Sequence, residues 1–192
     1  MYTSIVEFSA VVLFIGGFWH AVRYEGRAWA QQWFLAAWMT LFIRETINQL
    51  VFLVYDFASP VLRLGAAPAL IPLLWASIFY LAYQFARRFA DANQPAIVAG
   101  LIFVITASFA LPIEATAVQL QWWLYDAPSR IAFGGVPMAA LLVWGGSAAI
   151  FYAVFWRVSQ SRLPERGKLY LMVTLSPVMA VAQVLLMVLL NA

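Results

Sequence analysis

One short polar segment, placed inside a long apolar stretch, holds the residues best suited to chemistry. Arg44 and Glu45 are followed by Asn48 and Gln49. Residues three and four apart share a helix face, so Asn48 and Gln49 lie on the face of Glu45. If the helix is continuous to Tyr55, Glu45 lies roughly 15 Å below the membrane surface, near mid-membrane. An ionisable residue at that depth is a functional candidate, and the alternative is a structural polar network with neighbouring helices.

A second segment combines carboxylates with aromatic rings. Glu114 and Asp126 flank Trp122, Trp123 and Tyr125. Aromatic rings near a membrane surface often form an interfacial belt. In a site without water, the same rings stabilise a cation because their faces are electron-rich. The residues alone leave both interpretations open.

The two segments form an internal repeat. Each has an acid ten or eleven residues before a Tyr-Asp pair, which is Tyr55-Asp56 or Tyr125-Asp126. Each pair is followed by a proline, an arginine, the pattern Gly-x-x-Pro and a tryptophan seven residues later. These residues are Pro60, Arg63, Gly65, Pro68 and Trp75 in one copy and Pro128, Arg130, Gly134, Pro137 and Trp144 in the other. We interpret them as a parallel repeat of two helix pairs, at about 29–86 and 95–156.

The elements that position these residues follow from composition. Of 192 residues, 65% are hydrophobic and 10% are charged, against about 25% charged in a soluble domain. Apolar stretches close to the roughly 20 residues of a spanning helix follow one another along the chain. Hydropathy predicts helices at 4–22, 29–55, 67–86, 95–113, 132–156 and 169–190. The predicted fold is all-α, a polytopic integral membrane protein with about six transmembrane helices in a single domain, 1–192.

Charge distribution predicts the orientation. Most of the 11 Lys and Arg residues lie in the first, third and fifth connections. The positive-inside rule places these connections in the cytoplasm and both termini outside it. We expect the inner (cytoplasmic) membrane of a bacterium or an archaeon. In the first helix, Glu7 is expected at the surface near the outer end, and His20 is expected to be an interfacial side chain near the inner end.

Composition also limits the chemistry. The chain has no cysteine and one histidine, which argues against thiolate metal sites, iron–sulfur ligation and centres built from several imidazoles. We therefore expect no metal and no redox cofactor. The net charge of +3 comes from scattered loop residues rather than a basic face, so nucleic acid is not an expected partner.

Three segments resemble the membrane carotenoid-biosynthesis proteins typified by the bisanhydrobacterioruberin and γ-carotene hydratases. LGAAPALIPLLW (64–75) is similar to that family's Leu-Gly, a Pro, then Ile-Pro-Leu-x-Trp. EATAVQLQWWLY (114–125) resembles its acid, Pro, small residues and Gly-x-Trp-x-Trp. FGGVPMAALLVW (133–144) resembles its Phe-Gly-Val-Pro followed by Trp. The resemblance extends from Glu45 to Trp144.

The sequence departs from the family pattern at several positions. INQLVFLV (47–54) replaces a Gly- and Thr-rich run after Glu45, and Glu114 stands where Asp is usual. Ala115 replaces a Pro, Gln121 replaces a Gly, and Ala140 stands where an Asn is expected. These departures bear on the exact substrate and on catalysis more than on the fold.

The resemblance implies acid-catalysed addition of water to a terminal C=C bond of a carotene or another long isoprenoid, which would then be the hydrophobic ligand. Under this hypothesis Glu45 is the acid, and Glu114 or Asp126 orients the water. Aromatic rings then stabilise the intermediate cation. The residues expected to bind the substrate are Arg44, Asn48, Gln49, Tyr55, Trp75, Trp122, Trp123, Tyr125, Arg130 and Trp144.

Two other functions fit the sequence. One is a non-catalytic membrane subunit that binds a pigment or lipid within a larger complex, and the short loops favour it. The other is a small-molecule transporter built on the parallel repeat. Membrane lipid is an expected partner in every case, and other membrane proteins or further copies of the chain are candidate partners.

Overall fold

A computed structural model describes residues 2–57, 62–91, 93–125, 132–133 and 136–191. This part of the chain is predominantly helical, so the predicted all-α class is confirmed. Its helices are α1 (Tyr2–Tyr24), α2 (Arg27–Ile47), α3 (Ile71–Ala86), α4 (Pro95–Gln119), α5 (Met138–Ser159) and α6 (Glu165–Asn191). A π-helical turn, Asn48–Phe52, follows α2. The short strands are β1 (Tyr55–Phe57), β2 (Arg63–Leu64), β3 (Ala67–Pro68), β4 (Trp123–Tyr125), β5 (Ala132–Phe133) and β6 (Val136–Pro137).

Four of the described helices are long and apolar enough to cross a membrane, namely α1, α4, α5 and α6. Helix α3 is apolar but has 16 residues. Helix α2 has 21 residues, and its polar side chains include the buried Arg44 and Glu45. Because these two side chains point into the bundle, they do not expose charge to lipid. The fold is of the membrane type, and the figure of about six spans stays a prediction.

The same order of elements occurs in both predicted repeat units. Helix α2 is followed by β1, the hairpin β2–β3 and α3, and helix α4 is followed by β4, the hairpin β5–β6 and α5. In each unit a left-handed residue, Leu53 (φ 50°) or Gln121 (φ 53°), precedes the strand by two positions. Strands β1 and β4 pair antiparallel, with Tyr55 opposite Tyr125. The two units therefore meet directly along these strands.

Two hairpins overlap the predicted starts of the third and fifth helices, at 67 and 132. Arg63 pairs with Pro68 in the first hairpin, which turns at Gly65 (φ 65°). Ala132 pairs with Pro137 in the second hairpin. Consequently α3 and α5 begin later than the predicted positions 67 and 132. Hydropathy detects that these residues are apolar, but it does not detect that the chain reverses direction in a hairpin.

Helix α4 extends beyond its predicted end at 113. It continues through Pro112 to Gln119, because a proline removes a single N–H donor and the surrounding helices maintain the rest of the helix. Glu114 therefore lies within α4 rather than after it, as the predicted helix end at 113 implied.

The interior is rich in aromatic side chains. Helix α2 packs against α3 and α6, α4 against α5, and α1 against α3. Glu7 is also buried, with 3% of its surface exposed, and accepts a hydrogen bond from the Leu62 N–H at 3.5 Å. The expectation that Glu7 lies at the surface is therefore wrong. The largest fully buried side chains include Trp33, Trp75, Tyr80, Phe34, Phe79 and Phe151.

Candidate functional site

The first predicted acid lies in a buried network with its neighbour on α2. Arg44 and Glu45 are each 1% exposed. The Arg44 guanidinium donates to Glu45 Oε1 from Nη2 at 2.6 Å and from Nε at 3.2 Å. The Tyr55 hydroxyl lies 2.6 Å from Glu45 Oε2 and accepts a hydrogen bond from Arg44 Nη2 at 3.2 Å. Both oxygens of Glu45 therefore have partners.

A chain reversal brings Tyr55 to Glu45. The predicted depth of Glu45 assumed a helix that continues to Tyr55. The helix instead ends after the π-helical turn, with Leu53 in the left-handed conformation. The side-chain amides of Asn48 and Gln49 donate to the Tyr55 carbonyl at 3.0 Å and 2.8 Å. Asn48 Oδ1 also accepts the Val54 N–H at 3.1 Å. These two amides hold the turn that aims Tyr55 inward.

The second predicted acid has three hydrogen-bond donors. Glu114 is 1% exposed. Its Oε2 accepts the Trp123 indole N–H at 2.8 Å and the Tyr125 hydroxyl at 2.7 Å. Its Oε1 accepts the Trp144 indole N–H at 2.6 Å. Since all three contacts come from donors, the site is built for the carboxylate form of Glu114.

Stacked rings join the two acids into one cluster. The Arg44 guanidinium lies over the Trp144 ring, 3.7 Å from its centroid. The ring of Trp75 stacks on that of Trp144, with a centroid distance of 3.5 Å and an interplanar angle of 12°. The Tyr55 and Tyr125 rings meet edge to face at 5.6 Å. Both acids therefore lie against one aromatic region.

The tyrosine hydroxyls of this cluster remain protonated. Burial is the main cause that raises the pKa of the Tyr55 phenol well above its ordinary value. Burial and the charge of Glu114 raise the pKa of Tyr125 in the same way. Both strands lie outside the helices, and both phenols keep their hydroxyl proton and can donate a hydrogen bond across the ordinary pH range.

Two small cavities lie within the cluster, each of about 10 Å³. This volume is close to the minimum for one water molecule and excludes an isoprenoid end. Tyr55 and Trp144 line both cavities, whereas Glu45 is absent from both linings. One cavity is lined by Tyr55, Phe57, Ile71, Trp75, Glu114, Trp123 and Trp144, and the other by Arg44, Val54, Tyr55, Tyr125, Ala140, Val143, Trp144 and Met187.

Three of the predicted site residues lie apart from this network or outside the described residues. Trp122 is partly buried, its ring centroid is 6.5 Å from that of Trp123, and its indole N–H has no partner among the described residues. Asp126 and Arg130 lie outside the described residues. The part of the chain that the structure describes places the other predicted residues in or beside the cluster.

Sequence reasoning missed two members of the cluster. Phe57 is 5% exposed, lines a cavity and packs edge to face against Tyr55 at 5.6 Å. Alternation along a strand could have found it, because residues two apart point to the same face. Ser147 accepts a hydrogen bond from Arg44 Nη1 at 3.4 Å. No local signal marks Ser147, since it lies 103 positions from Arg44.

Two departures from the family pattern have structural meaning. Gln121, which replaces a Gly, has φ 53°, a conformation that glycine adopts without steric cost. Ala140, which replaces an Asn, lines the cavity beside Arg44 and Tyr55. The first exchange strains the backbone before β4, and the second removes a polar group from the wall of the site.

These features define a helical membrane protein in which two related helix pairs share a buried cluster of acids and aromatic rings. Residues 53–192 match the carotenoid biosynthesis protein family model. Because this match covers more than half of the chain, the protein belongs to that family and has a role in carotenoid metabolism. The matched region includes Glu114, Trp75 and Trp144 and begins after Glu45. No curated protein and no solved structure matches the chain.

Proposed function

We propose that the protein adds water to a terminal C=C bond of a carotene or a related isoprenoid. The observation that carries this proposal is the meeting of two buried carboxylate–phenol pairs, Glu45–Tyr55 and Glu114–Tyr125, at one set of stacked indole rings. Family membership supports the substrate class. Acids and aromatic faces in a water-poor site suit chemistry through a carbocation.

In the proposed mechanism, Glu45 holds the proton that is transferred. The cluster contains one cation, Arg44, and two acids, and burial favours a neutral sum in which one acid keeps its proton. Each acid contacts three donor groups, and we assign the proton to Glu45 because its partner Tyr55 lines both cavities. In the structure Arg44 donates to Glu45 Oε1 and Tyr55 donates to Glu45 Oε2. With a proton on Oε2, the second bond reverses and Glu45 donates to the Tyr55 oxygen. The Tyr55 proton is then directed towards the cavities that this residue lines.

Protonation of the alkene is the first step. Tyr55 transfers its hydroxyl proton to the less substituted carbon of the terminal double bond and takes the proton of Glu45 in its place. The π electrons form the new C–H bond, and the other carbon becomes a tertiary cation. The indole faces of Trp75 and Trp144 and the negative charge of Glu114 stabilise this cation.

Water then completes the addition. A water molecule, for which each cavity has room, attacks the cation and forms the C–O bond. It loses a proton to Glu114, and return of that proton to Glu45 restores the starting state. The product is a tertiary alcohol heavier than the substrate by one water. For the isoprenoid end to enter, the side chains that enclose the two small cavities have to separate.

Pigment analysis tests the proposal. In a carotene-producing host, the wild-type chain is expected to yield a product heavier by one water, and Glu45→Gln is expected to abolish it. A glutamine at this position can accept from Arg44 and donate to Tyr55, so the variant keeps the hydrogen bonds and lacks only the acidic proton. Glu165→Gln is the matched control, because Glu165 lies at the start of α6 and bonds to Gln32 and Lys168. Identical pigments from wild type and folded Glu45→Gln would exclude this mechanism.

One observation favours a second function, that of a non-catalytic subunit. Every carboxylate oxygen of Glu45 and Glu114 has a partner, and each of the cavities beside them is only close to the minimum size for one water. A structural polar network has this form. A subunit would leave the pigments unchanged and would co-purify with a fixed partner in constant ratio.

A further inference from the structure

A long groove between α1 and α3 is separate from the acid–aromatic cluster. Its volume is about 1060 Å³, it is open to the side, and none of the cluster residues lines it. Gly16 lies in its α1 wall, and a Cβ at this position would meet no atom within 4 Å. The side chains of Val12 and Leu13, which line the same wall, are 51% and 39% exposed. The groove thus runs along the outside of the bundle, and its α1 wall is apolar at this end.

The lining changes from apolar to polar to charged along the groove. Beyond Gly16 on α1 comes His20, whose Nδ1 lies 2.7 Å from the Tyr80 hydroxyl on α3. At the far end, the lining includes Glu25, Arg87 and Arg88. On α3, which packs against α1, the lining also ends in charged residues, at Arg87 and Arg88. The polar groups therefore follow the same order on both walls.

The length of the groove is that of one membrane leaflet. On α1 it extends from Val12 to Glu25, which is roughly 20 Å of helix. Half of a hydrocarbon core of about 30 Å, together with one headgroup layer, has a similar thickness. The charged end therefore lies at headgroup level when the apolar end lies near mid-membrane.

The charged end carries an excess of positive charge. Arg87 forms an ion pair with Glu25. Arg88 has no carboxylate partner within the described ranges, and its guanidinium lies 5.7 Å from the centroid of the Phe85 ring. An exposed guanidinium at the polar end of an apolar channel complements a phosphate group.

We propose that this groove binds one anionic phospholipid. Its acyl chains lie along the apolar wall at Gly16, its ester oxygens lie beside the exposed His20, and its phosphate contacts Arg88. The order of these three zones matches the order of chain, ester and phosphate in the lipid. The site is independent of the proposed hydration.

Native mass spectrometry of the detergent-purified protein tests the headgroup contact. Phosphatidylglycerol is expected to bind in preference to phosphatidylcholine with the same chains. Arg88→Gln is expected to weaken phosphatidylglycerol binding about fivefold. Arg157→Gln is the matched control, since Arg157 is also an exposed arginine at a helix end beside an aromatic ring, but lies outside the groove. Equal binding of the two lipids, or equal losses in the two variants, would overturn the proposal.

A second pair of variants tests the channel. Gly16→Leu places a side chain inside the groove without a clash and is expected to reduce lipid binding by a similar factor. Gly100→Leu is its control, because a Cβ added at Gly100 would also meet no atom within 4 Å, and this helical glycine is not part of the groove. Undiminished phosphatidylglycerol binding by Gly16→Leu, with unfolding unchanged in both variants, would refute occupation of the groove.

Discussion

Replacement of each buried acid by its amide distinguishes the two carboxyl groups. Glu114 accepts from two indole N–H groups and one hydroxyl. A glutamine in its place presents one oxygen and one NH₂ group, so in either orientation the NH₂ faces an indole donor. At least one of Trp123 and Trp144 then loses its acceptor inside the protein. At Glu45, by contrast, an amide reproduces the hydrogen bonds of a protonated carboxyl group.

The sizes of the two effects follow from these contacts. A buried donor without an acceptor costs about 1–3 kcal/mol, and the remaining bonds to the amide oxygen lose the added strength of a charged acceptor. Easier burial of a neutral amide offsets part of this cost. We expect Glu114→Gln to lower the free energy of unfolding by about 2–4 kcal/mol and Glu45→Gln by less than about 1 kcal/mol.

Unfolding in mixed micelles with an increasing fraction of dodecyl sulfate measures both values. Tryptophan fluorescence follows the unfolding, and two of the nine tryptophans, Trp123 and Trp144, contact Glu114. Glu165→Gln at the start of α6 serves as the reference for a Glu-to-Gln change outside the cluster. A Glu45→Gln loss as large as that of Glu114→Gln would mean that Glu45 is ionised against Arg44, and the assignment of the proton would be refuted.

Three further substitutions test the packing by the same measurement. Trp144→Phe keeps the ring stack but removes the donor to Glu114 Oε1, and we expect a loss of about 1–3 kcal/mol. Gln121→Gly relieves a left-handed non-glycine residue and is expected to stabilise the protein by about 1 kcal/mol. Gly145→Ala places a Cβ 2.7 Å from the Phe103 carbonyl oxygen, and separation of α4 from α5 is expected to cost about 1–3 kcal/mol.

Each of these expectations has an opposing outcome. Unchanged stability of Trp144→Phe would show that its indole N–H is not needed by Glu114. Destabilisation by Gln121→Gly would mean that the glutamine side chain contributes more than the backbone conformation costs. Gly100→Ala, whose Cβ meets nothing within 4 Å, is the control for Gly145→Ala, and equal effects of the two would contradict the close approach at Phe103.

Some features of the site could be predicted from the order of residues alone. The spacing of Arg44, Glu45 and Asn48 places them on adjoining helix faces, and polar side chains in an apolar helix face the protein interior. All three are buried. The paired spacing of acid and tyrosine indicated that Glu45 and Glu114 occupy related positions, and each lies within hydrogen-bond distance of that tyrosine's hydroxyl.

Other features arise only when distant segments pack together. The reversal after α2 needs a π-helical turn and a left-handed Leu53, neither of which has a hydropathy signal. The continuation of α4 past Pro112 depends on its neighbours in the bundle. The groove beside His20 exists because α1 and α3 lie side by side with glycine in the α1 wall.

The sequence by itself determined that the protein lies in a membrane, that it is helical and that Glu45 is buried, because hydropathy and helical spacing depend on residues close together in the chain. It did not predict the burial of Glu7. Tertiary structure decided which partner each acid has. Trp144 lies 30 positions from Glu114 and yet donates to it at 2.6 Å. Arg44 contacts the face of the same ring. Such contacts depend on how helices cross and rotate, which is a property of the whole bundle rather than of any one segment.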